Sequence, residues 1–195
     1  MGDVVMTPEF RVGWQSLFKA TKAKDADADA KEKFSVKMLF PKGADLKELK
    51  RIAGQALVEK FGADQGKWPK NLRSPFRDQG DVRDDKGAVR DGHIEGATFV
   101  NATSVQPIDV VGPDAKRTTD ERTVYSGSYG KALVAAYYYD VKGNRGVAFG
   151  LRGFQKTRDG EPLSGGRVDV EKAFQPVEGA DPFGGGAPAE DDPFK

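Results

Sequence analysis

Only one stretch of this 195-residue chain has the periodicity of an α-helix, and this constrains the fold more than any other feature. Asp45 and Glu48 fit a capping box at the start of residues 45–61, and Gly62 suits the position after a helix. The other patterned segments alternate with a period of two, which is typical of strands. The chain is therefore predicted to be mainly β. The apolar stripe of the helix comprises Leu46, Leu49, Ile52, Ala53, Ala56 and Leu57.

Five alternating segments are predicted to be strands. The third is broken near Pro107, the fourth is kinked around Gly127 and Gly130, and a turn at residues 142–144 leads into the last. Five strands with one main helix favour an OB-like five-stranded barrel with long loops. A small β-sandwich is the alternative. The predicted strands are Phe10–Trp14, Phe34–Phe40, Ala97–Val111, Thr123–Val141 and Val147–Lys156.

Two long segments lack any period. Residues 22–33 are charged and of low complexity, so we expect a solvated hairpin loop. Residues 63–96 are rich in glycine and contain two prolines. An irregular connection of that length inside a compact domain usually carries function.

Composition narrows the function classes. There are no cysteines and one histidine, His93, so disulfides, thiolate metal sites and multi-histidine sites are excluded. His93 lies in a polar, glycine-containing stretch and is predicted to be an exposed loop residue. No apolar run has the length of a membrane helix, and the first ten residues do not resemble a secretory signal. We expect a non-enzymatic protein without a cofactor, in a reducing cytoplasm.

Charge is distributed unevenly along the chain. Residues 178–195 hold five acids and one base, a net of −4, while the preceding residues hold 30 bases and 25 acids. The last segment is also rich in glycine, proline and alanine, which predicts disorder. We therefore predict a domain over residues 1–177 and an acidic tail over 178–195. A basic body with an acidic tail is typical of a nucleic-acid binder.

The loop at residues 67–77 interleaves aromatic and cationic side chains. Single-stranded DNA needs both, because cations follow the phosphates and flat rings stack the bases without regard to sequence. The alternative is that Trp68 and Phe76 anchor the loop on the barrel. The loop cations are Lys67, Lys70, Arg73 and Arg77.

Five tyrosines lie in the fourth predicted strand. Alternation sends Tyr137 and Tyr139 to one face and Tyr138 to the other, so at least one of them is structural. Tyr125 and Tyr129 have small neighbours and are favoured for stacking. The predicted DNA-binding residues are Lys37, Trp68, Lys70, Arg73, Phe76, Arg77, Tyr125, Tyr129, Tyr138 and Arg152.

Two patterns indicate other functions only weakly. Residues 145–152 are similar to the central strand of an RNA-recognition motif, but Val147 and Arg152 stand where aromatic residues should be. Five acids between residues 78 and 91 could suggest a metal-dependent nuclease. They share one glycine-rich loop with several bases, so the spacing places no carboxylate on a rigid element. We expect no metal site there.

The end of the chain, residues 190–195, resembles the acidic tip of bacterial single-stranded-DNA-binding proteins. In that family an acidic run and a terminal Pro-Phe dock on replication and repair enzymes, and the carboxylates can compete with DNA. Here Lys195 follows Phe194, which departs from the pattern. Asp-Pro-Phe also occurs a second time, at residues 181–183. The residues that this resemblance implies for partner binding are Glu190, Asp191, Asp192, Pro193 and Phe194.

The body resembles the single-stranded-DNA-binding family of tailed phages, a divergent OB-fold with an acidic tail. The resemblance implies sequence-non-specific binding in phage replication, recombination and repair, in the cytoplasm of the infected host. The implied partners are single-stranded DNA and replication or recombination proteins, and a membrane is not among them. The resemblance leaves open whether the protein forms a homodimer. The first alternative is a β-rich phage tail or capsid protein. The metal-dependent nuclease is the second, less favoured alternative. The stretches that carry the resemblance are residues 34–42, 96–102, 125–129, 146–155 and 159–161.

Overall fold

A computed structural model describes residues 2–22 and 30–163 of the chain. This part is mainly β with a single α-helix, α1 (Lys47–Phe61), which confirms the predicted fold class. Short 3-10 turns lie at Gln65–Lys67, Gln79–Asp81 and Glu121–Thr123. The strands are β1 (Val4–Met6), β2 (Phe10–Thr21), β3 (Lys33–Leu39), β4 (Arg77–Asp78), β5 (Thr98–Ser104), β6 (Asp109–Val111), β7 (Tyr129–Val141) and β8 (Asn144–Arg158).

Five of these strands trace a ring in the order β2-β3-β5-β8-β7 and back to β2. All neighbours are antiparallel except β5 and β8, which are parallel. The ring is OB-like, as predicted, rather than a sandwich. The β5–β8 and β2–β7 joins consist of two residue pairs each, so the barrel is not cleanly closed. Strands β1, β4 and β6 add to β7, β5 and β8.

The core fills the inside of the ring with alternate strand residues. Phe10 is 1% exposed and packs edge-on against Phe40 and Phe154, at 5.7 and 6.0 Å between ring centroids. Burying a ring of this size contributes about 1.5–3 kcal/mol. Helix α1 covers part of the ring of strands and buries Leu49 and Ile52 against it. Because one face of the strands packs on this core, their other face points outward.

The predicted start of the helix needs a correction. Leu46 occupies the N-cap position without a side-chain cap, and Glu48 bonds Arg51 instead, at 2.9 Å. Asp45 Oδ1 accepts from the backbone N–H of Lys47 at 3.0 Å, so it closes a turn one residue before the cap. Gly62 has a φ of +84° and ends the helix as predicted.

The observed strand boundaries differ most from the predicted ones where contacts with distant residues set them. The fourth predicted strand begins at Tyr129 rather than Thr123, because residues 121–123 form a 3-10 turn and Gly127 N–H bonds Val12 O at 2.7 Å. The turn before β8 is confirmed, with φ of +52° at Lys142 and +80° at Gly143. β2 continues past Trp14, after a register shift between Val12 and Trp14.

The long connection at residues 63–96 is held to the barrel by buried hydrogen bonds. Gln79 is 1% exposed, and its Nε2 donates to Phe40 O and Thr98 O at 2.7 and 2.9 Å. Asp78 Oδ1 accepts from the N–H groups of Gly80 and Gly96. Asp78 therefore closes backbone turns. Within residues 2–22 and 30–163, no group of three or more acidic, histidine or cysteine side chains could hold a metal ion.

The chain divides into a compact unit, Met1–Gly165, and a second unit, Gly166–Lys195, which lies outside the described residues. The predicted boundary after residue 177 and the predicted disorder of residues 178–195 fall there too. Over the ranges that the structure covers, α1 lacks the length and apolarity to span a membrane.

Candidate functional site

The outward face of β2, β3 and β5 carries a row of three side chains. Trp14 is paired with Lys37, and Lys37 is paired with Asn101. Residues directly opposite each other in neighbouring strands point to the same face of a sheet. Trp14 is 50% exposed, so a large aromatic surface lies in solvent beside a cation.

A first groove, which we call the Tyr137 groove, continues this row towards β7 and β8. It has a volume of about 390 Å³, and its walls include Arg77, Asn101 and Thr103 on one side and Tyr137 and Tyr139 on the other. Tyr137 is 44% exposed. The residue opposite Tyr139 is Gly146, and the one opposite Tyr137 is Ala148, so the cross-strand neighbours of both rings on β8 are small. The groove can accept a flat group against Tyr137.

A second groove, the Trp14 groove, extends the row in the other direction. It has a volume of about 600 Å³ and is lined by Trp14 and Lys37 and by two cationic or imidazole side chains and two acids of the long connection: Arg90, His93, Asp84 and Asp91. The two grooves meet where Lys37 pairs with Asn101. We call their combined surface the outer face. It presents cations between two exposed aromatic rings.

Lys37 is the most perturbed cation of the outer face. Its ammonium lies 5.2 Å from the centroid of the Phe99 ring. Burial lowers the pKa of Lys37 below its ordinary value, and the positive charges of Arg90 and Arg77 lower it further. A neighbouring anion would raise the pKa of Lys37 again, because it favours the charged ammonium.

His93 is not the exposed loop residue that the sequence predicts. It is half-buried, its Nδ1 lies 3.3 Å from Asp91 O, and its Nε2 is buried without a partner in the described part of the chain. Burial is the main cause that lowers the pKa of His93. Backbone hydrogen bonds to Asp91 and Arg90 raise this pKa, while the positive charges of Lys37 and Arg90 lower it further. His93 therefore forms a neutral wall of the Trp14 groove.

The predicted cations occupy different places. Lys37 and Arg77 line the grooves. The backbone of Arg73 adds to β8 at Gly146, and the next two residues line the Tyr137 groove, so Arg73 lies at its rim. Arg152 is exposed at a bulge in β8, between the residues paired with Val134 and Leu133. Lys70 is exposed in the loop and lines neither groove.

Both aromatic residues of the predicted loop make contacts inside the protein. Trp68 is half-buried, and its Nε1 donates to Gly62 O at the end of α1, at 2.9 Å. Phe76 packs edge-on against the buried Phe149 at 5.9 Å. These are the contacts of loop anchors. Their role in stacking bases stays a prediction, and neither ring is open to solvent in the way that Trp14 is.

The three predicted tyrosines are also engaged. The hydroxyl of Tyr125 lies 2.9 Å from Asp159 Oδ1 and accepts from the N–H of Gly160. The guanidinium of Arg158 covers the ring of Tyr129 at 3.4 Å.

Tyr138 faces α1, where it packs against Phe61 at 5.1 Å. It therefore lies on the opposite face of β7 from Tyr137. Base stacking by the three predicted tyrosines stays a prediction.

The sequence reasoning passed over the two exposed rings of the outer face. Alternation separates Tyr137 and Tyr139 from Tyr138, but it does not say which face is covered. Trp14 ends the alternating run that predicts the first strand, and its neighbour Gly13 takes part in the register shift. A tryptophan next to a glycine in a strand was the available signal.

The described structure ends at the Trp14 groove. Leu163 lines that groove and donates its N–H to Ser126 O at 3.0 Å. Arg11 holds the preceding segment through Glu161 O at 2.7 Å. The predicted partner-binding residues 190–194 lie outside the described residues.

A family model matches this chain over residues 3–183. It is the model of the single-stranded-DNA-binding protein of Enterobacter phage Enc34. The chain is also 26% identical over 166 residues to putative protein p50 of Acyrthosiphon pisum secondary endosymbiont phage 1, with 84% of this chain and 88% of that protein covered.

Two solved structures share the fold. The single-stranded-DNA-binding protein of bacteriophage Enc34 in complex with single-stranded DNA has a TM-score of 0.63 and 18% identity, over 83% of this chain and 89% of that one. The single-stranded-DNA-binding protein gp2.5 of bacteriophage T7 has a TM-score of 0.56 and 15% identity, over 85% and 95%.

Proposed function

We propose, from the premise that this chain belongs to the Enc34 family of phage single-stranded-DNA-binding proteins, that it binds single-stranded DNA along the outer face. The observation that carries the proposal is the geometry of that face. Two exposed rings, Trp14 and Tyr137, lie on either side of the Lys37–Asn101 pair. Rings of this kind stack bases of any identity, and cations between them follow the backbone.

The residues of the outer face take distinct roles in this proposal. One base stacks on Trp14 and another on Tyr137. Phosphates between them lie near Lys37, Arg77 and Arg90. Asn101 and Thr103, in the wall of the Tyr137 groove, supply neutral hydrogen-bonding groups. Because stacking on an aromatic ring does not distinguish one base from another, binding depends little on sequence.

The remaining predicted cations extend the path at its edges. Arg73 lies at the rim of the Tyr137 groove, and Arg152 lies on β8 beyond Gly150. Both are exposed and can neutralise phosphates that leave the groove. Lys70 is farther along the same loop as Arg73 and is the weakest of these candidates.

Titration of a fluorescent oligothymidine tests the proposal. We expect affinity that falls steeply as salt rises, little difference between oligonucleotides of different sequence, and much weaker binding of duplex DNA. Equal affinity for duplex and single strand would contradict the proposal. No binding at moderate salt would instead support a structural phage component.

We further propose that the acidic tail recruits replication, recombination or repair proteins in the cytoplasm of the infected cell, and that it competes with DNA. The chain passes from the described structure into its last 32 residues beside the Trp14 groove, and those residues include the net −4 segment. Carboxylates held near a cationic groove compete with phosphates for the same charges.

A chain that ends at Gly179 separates the two roles of the tail. If the carboxylates compete, truncation tightens DNA binding, most at low salt where screening is weakest. Unchanged affinity at low salt would contradict competition and leave recruitment alone. A pull-down with phage replication proteins, comparing the full and truncated chains, tests recruitment.

A further inference from the structure

The five residues after β8 lead to the Trp14 groove. We call this segment, residues 159–163, the strap. Three hydrogen bonds fasten it to β2 and to the loop before β7. They are Gly160 N–H to Tyr125 Oη at 3.2 Å, Arg11 Nη2 to Glu161 O at 2.7 Å, and Leu163 N–H to Ser126 O at 3.0 Å. The strap is therefore attached along its whole length.

Two glycines let the strap lie close to the loop before β7. A Cβ at Gly127 would collide with Glu161 O, and a Cβ at Gly160 would collide with Gly127 O. Gly127 also has a φ of +110°. Backbones approach this closely only where no side chain stands between them. Close packing and hydrogen bonds together make the strap a firm support for the residue at its end, Leu163.

Leu163 reaches from the strap to the 63–96 connection. Its side chain packs so closely on Gly92 that a Cβ at Gly92 would collide with it. Gly92 is the third residue of a turn that begins at Arg90 and ends at His93, where His93 N–H donates to Arg90 O at 3.0 Å. Its φ of +77° is the conformation that a type II turn requires at this position. Leu163 thus lies on the middle of the turn whose two ends line the Trp14 groove.

The side chain of Arg90 depends on this turn for its position. It forms no hydrogen bond or ion pair with another residue in the part of the chain that the structure describes. Arg90 N–H donates to Val82 O at 2.9 Å, and Ile94 N–H donates to Gln79 Oε1 at 3.0 Å. These bonds hold the chain before and after the turn, and Leu163 supports its middle. The backbone of the turn therefore sets where the charge of Arg90 lies in the Trp14 groove.

We propose that Leu163 is a positioning residue for DNA binding. By packing on Gly92 it holds the turn in one place, so that Arg90 and His93 already lie in the groove with Trp14 before DNA arrives. A side chain that is ordered in advance does not add its ordering cost to binding. The inference rests on the proposed function, since it concerns the same groove, but the support of the turn by Leu163 exists without DNA.

Substitution of Leu163 in the full chain measures the value of this support. Leu163→Ala should weaken binding of oligothymidine about tenfold, because the DNA must then order the turn and the Arg90 side chain. Leu133→Ala is the matched control. Leu133 is 39% exposed and lines neither groove, so its substitution should change affinity less than about twofold. Equal affinities of Leu163→Ala and the wild type would overturn the proposal.

A double-mutant cycle shows whether Leu163 acts through the turn or contacts DNA itself. In a chain that carries Arg90→Gln, Leu163→Ala should cost less than about twofold, because the residue that it positions is gone. In a chain that carries Arg77→Gln, it should keep its full effect of about tenfold, because Arg77 lines the other groove. Equal losses in the two backgrounds would mean that Leu163 contacts DNA directly, and the positioning role would be wrong.

Hydrogen exchange without DNA gives a second readout. In Leu163→Ala the amide of His93, which closes the turn, should exchange at least about fivefold faster than in the wild type. The amide of Thr118, which bonds Val110 O at 2.9 Å, should not change and reports that the barrel is intact. An unchanged rate at His93 would contradict the proposal. If the wild type binds no single-stranded DNA, the proposed function fails, and the exchange rates still decide whether Leu163 holds the turn.

Discussion

The two tryptophans of the chain have opposite surroundings. Trp14, on β2 of the outer face, is 50% exposed beside Lys37. Trp68, in the 63–96 connection, is half-buried and bonds the last turn of α1 through its indole nitrogen. Both have cations nearby in the sequence or across the sheet. The two tryptophans differ in whether another part of the same protein already packs on the indole ring.

The comparison teaches that mixed cations and aromatic residues predict a DNA contact only where the rings stay open. In the connection, Phe76 packs on Phe149 and Trp68 on the helix end, so the loop is anchored and its cations are displayed. On the outer face, small residues opposite Tyr137 leave the ring accessible. Four experiments test this contrast.

The largest expected effect is on DNA affinity. Trp14→Ala and Tyr137→Ala should each weaken binding of oligothymidine about 5- to 150-fold, because stacking on an aromatic ring contributes about 1–3 kcal/mol per base. Fluorescence anisotropy at fixed salt measures the loss. Trp68→Ala is the matched control and should stay within about twofold once folding is verified. A larger loss at Trp68 than at Trp14 would reverse the comparison.

The second effect is on the free energy of unfolding, where the residue of the connection should matter more than the residue of the outer face. Phe76→Ala should lower the free energy of unfolding by about 2 kcal/mol, less than for a fully buried phenylalanine because Phe76 is half-buried. Tyr137→Ala should change it by less than about 0.5 kcal/mol, as is usual at exposed positions. Urea denaturation followed by circular dichroism compares the two. Equal stability losses would mean that the outer face is also structural.

The third effect is on the salt dependence of binding. Lys37→Gln should reduce the slope of log affinity against log salt by about 0.7, the contribution of one phosphate contact on a single strand. Lys70→Gln, a matched change in the connection, should reduce it less because Lys70 lines neither groove. The measurement is a titration at several salt concentrations. An equal change in slope would extend the DNA path over the loop.

The smallest effect concerns pH. Burial, Arg90 and Arg77 lower the pKa of Lys37, so this lysine loses its charge at a lower pH than an exposed lysine. DNA affinity should therefore decline at a lower alkaline pH than it would with an exposed lysine. Lys37→Arg should flatten that decline, because arginine stays charged there. If the wild type and Lys37→Arg decline together, the titrating group lies elsewhere.

Much of the fold follows from patterns along the chain. The 3.6-residue period of Leu49, Ile52 and Ala56 predicts α1 within two residues at its start, because a helix buries one stripe. The glycine and lysine of residues 142–143 predict the β7–β8 turn. Five strands and a helix then favour an OB-like barrel. The capping box failed because Glu48 bonds Arg51 instead of the helix start.

The candidate site was less predictable because exposure depends on distant segments. Sequence alone places Tyr137 and Tyr138 on opposite faces of a strand, and that is correct. Only the packing of Tyr138 on Phe61 shows which face is inside. Likewise, Arg90 and His93 belong to a connection that Gln79 ties to Phe40, directly after β3, and to Thr98 of β5.

The mainly β class, the single helix, the basic body and the acidic end follow from the amino-acid sequence, since each depends on local period or on composition. Tertiary structure decided which rings and cations meet on one surface. Trp14, Lys37 and Asn101 come from three separate strands, and only their pairing sets them in a row. Contacts of that kind depend on the register between strands, which no single segment encodes.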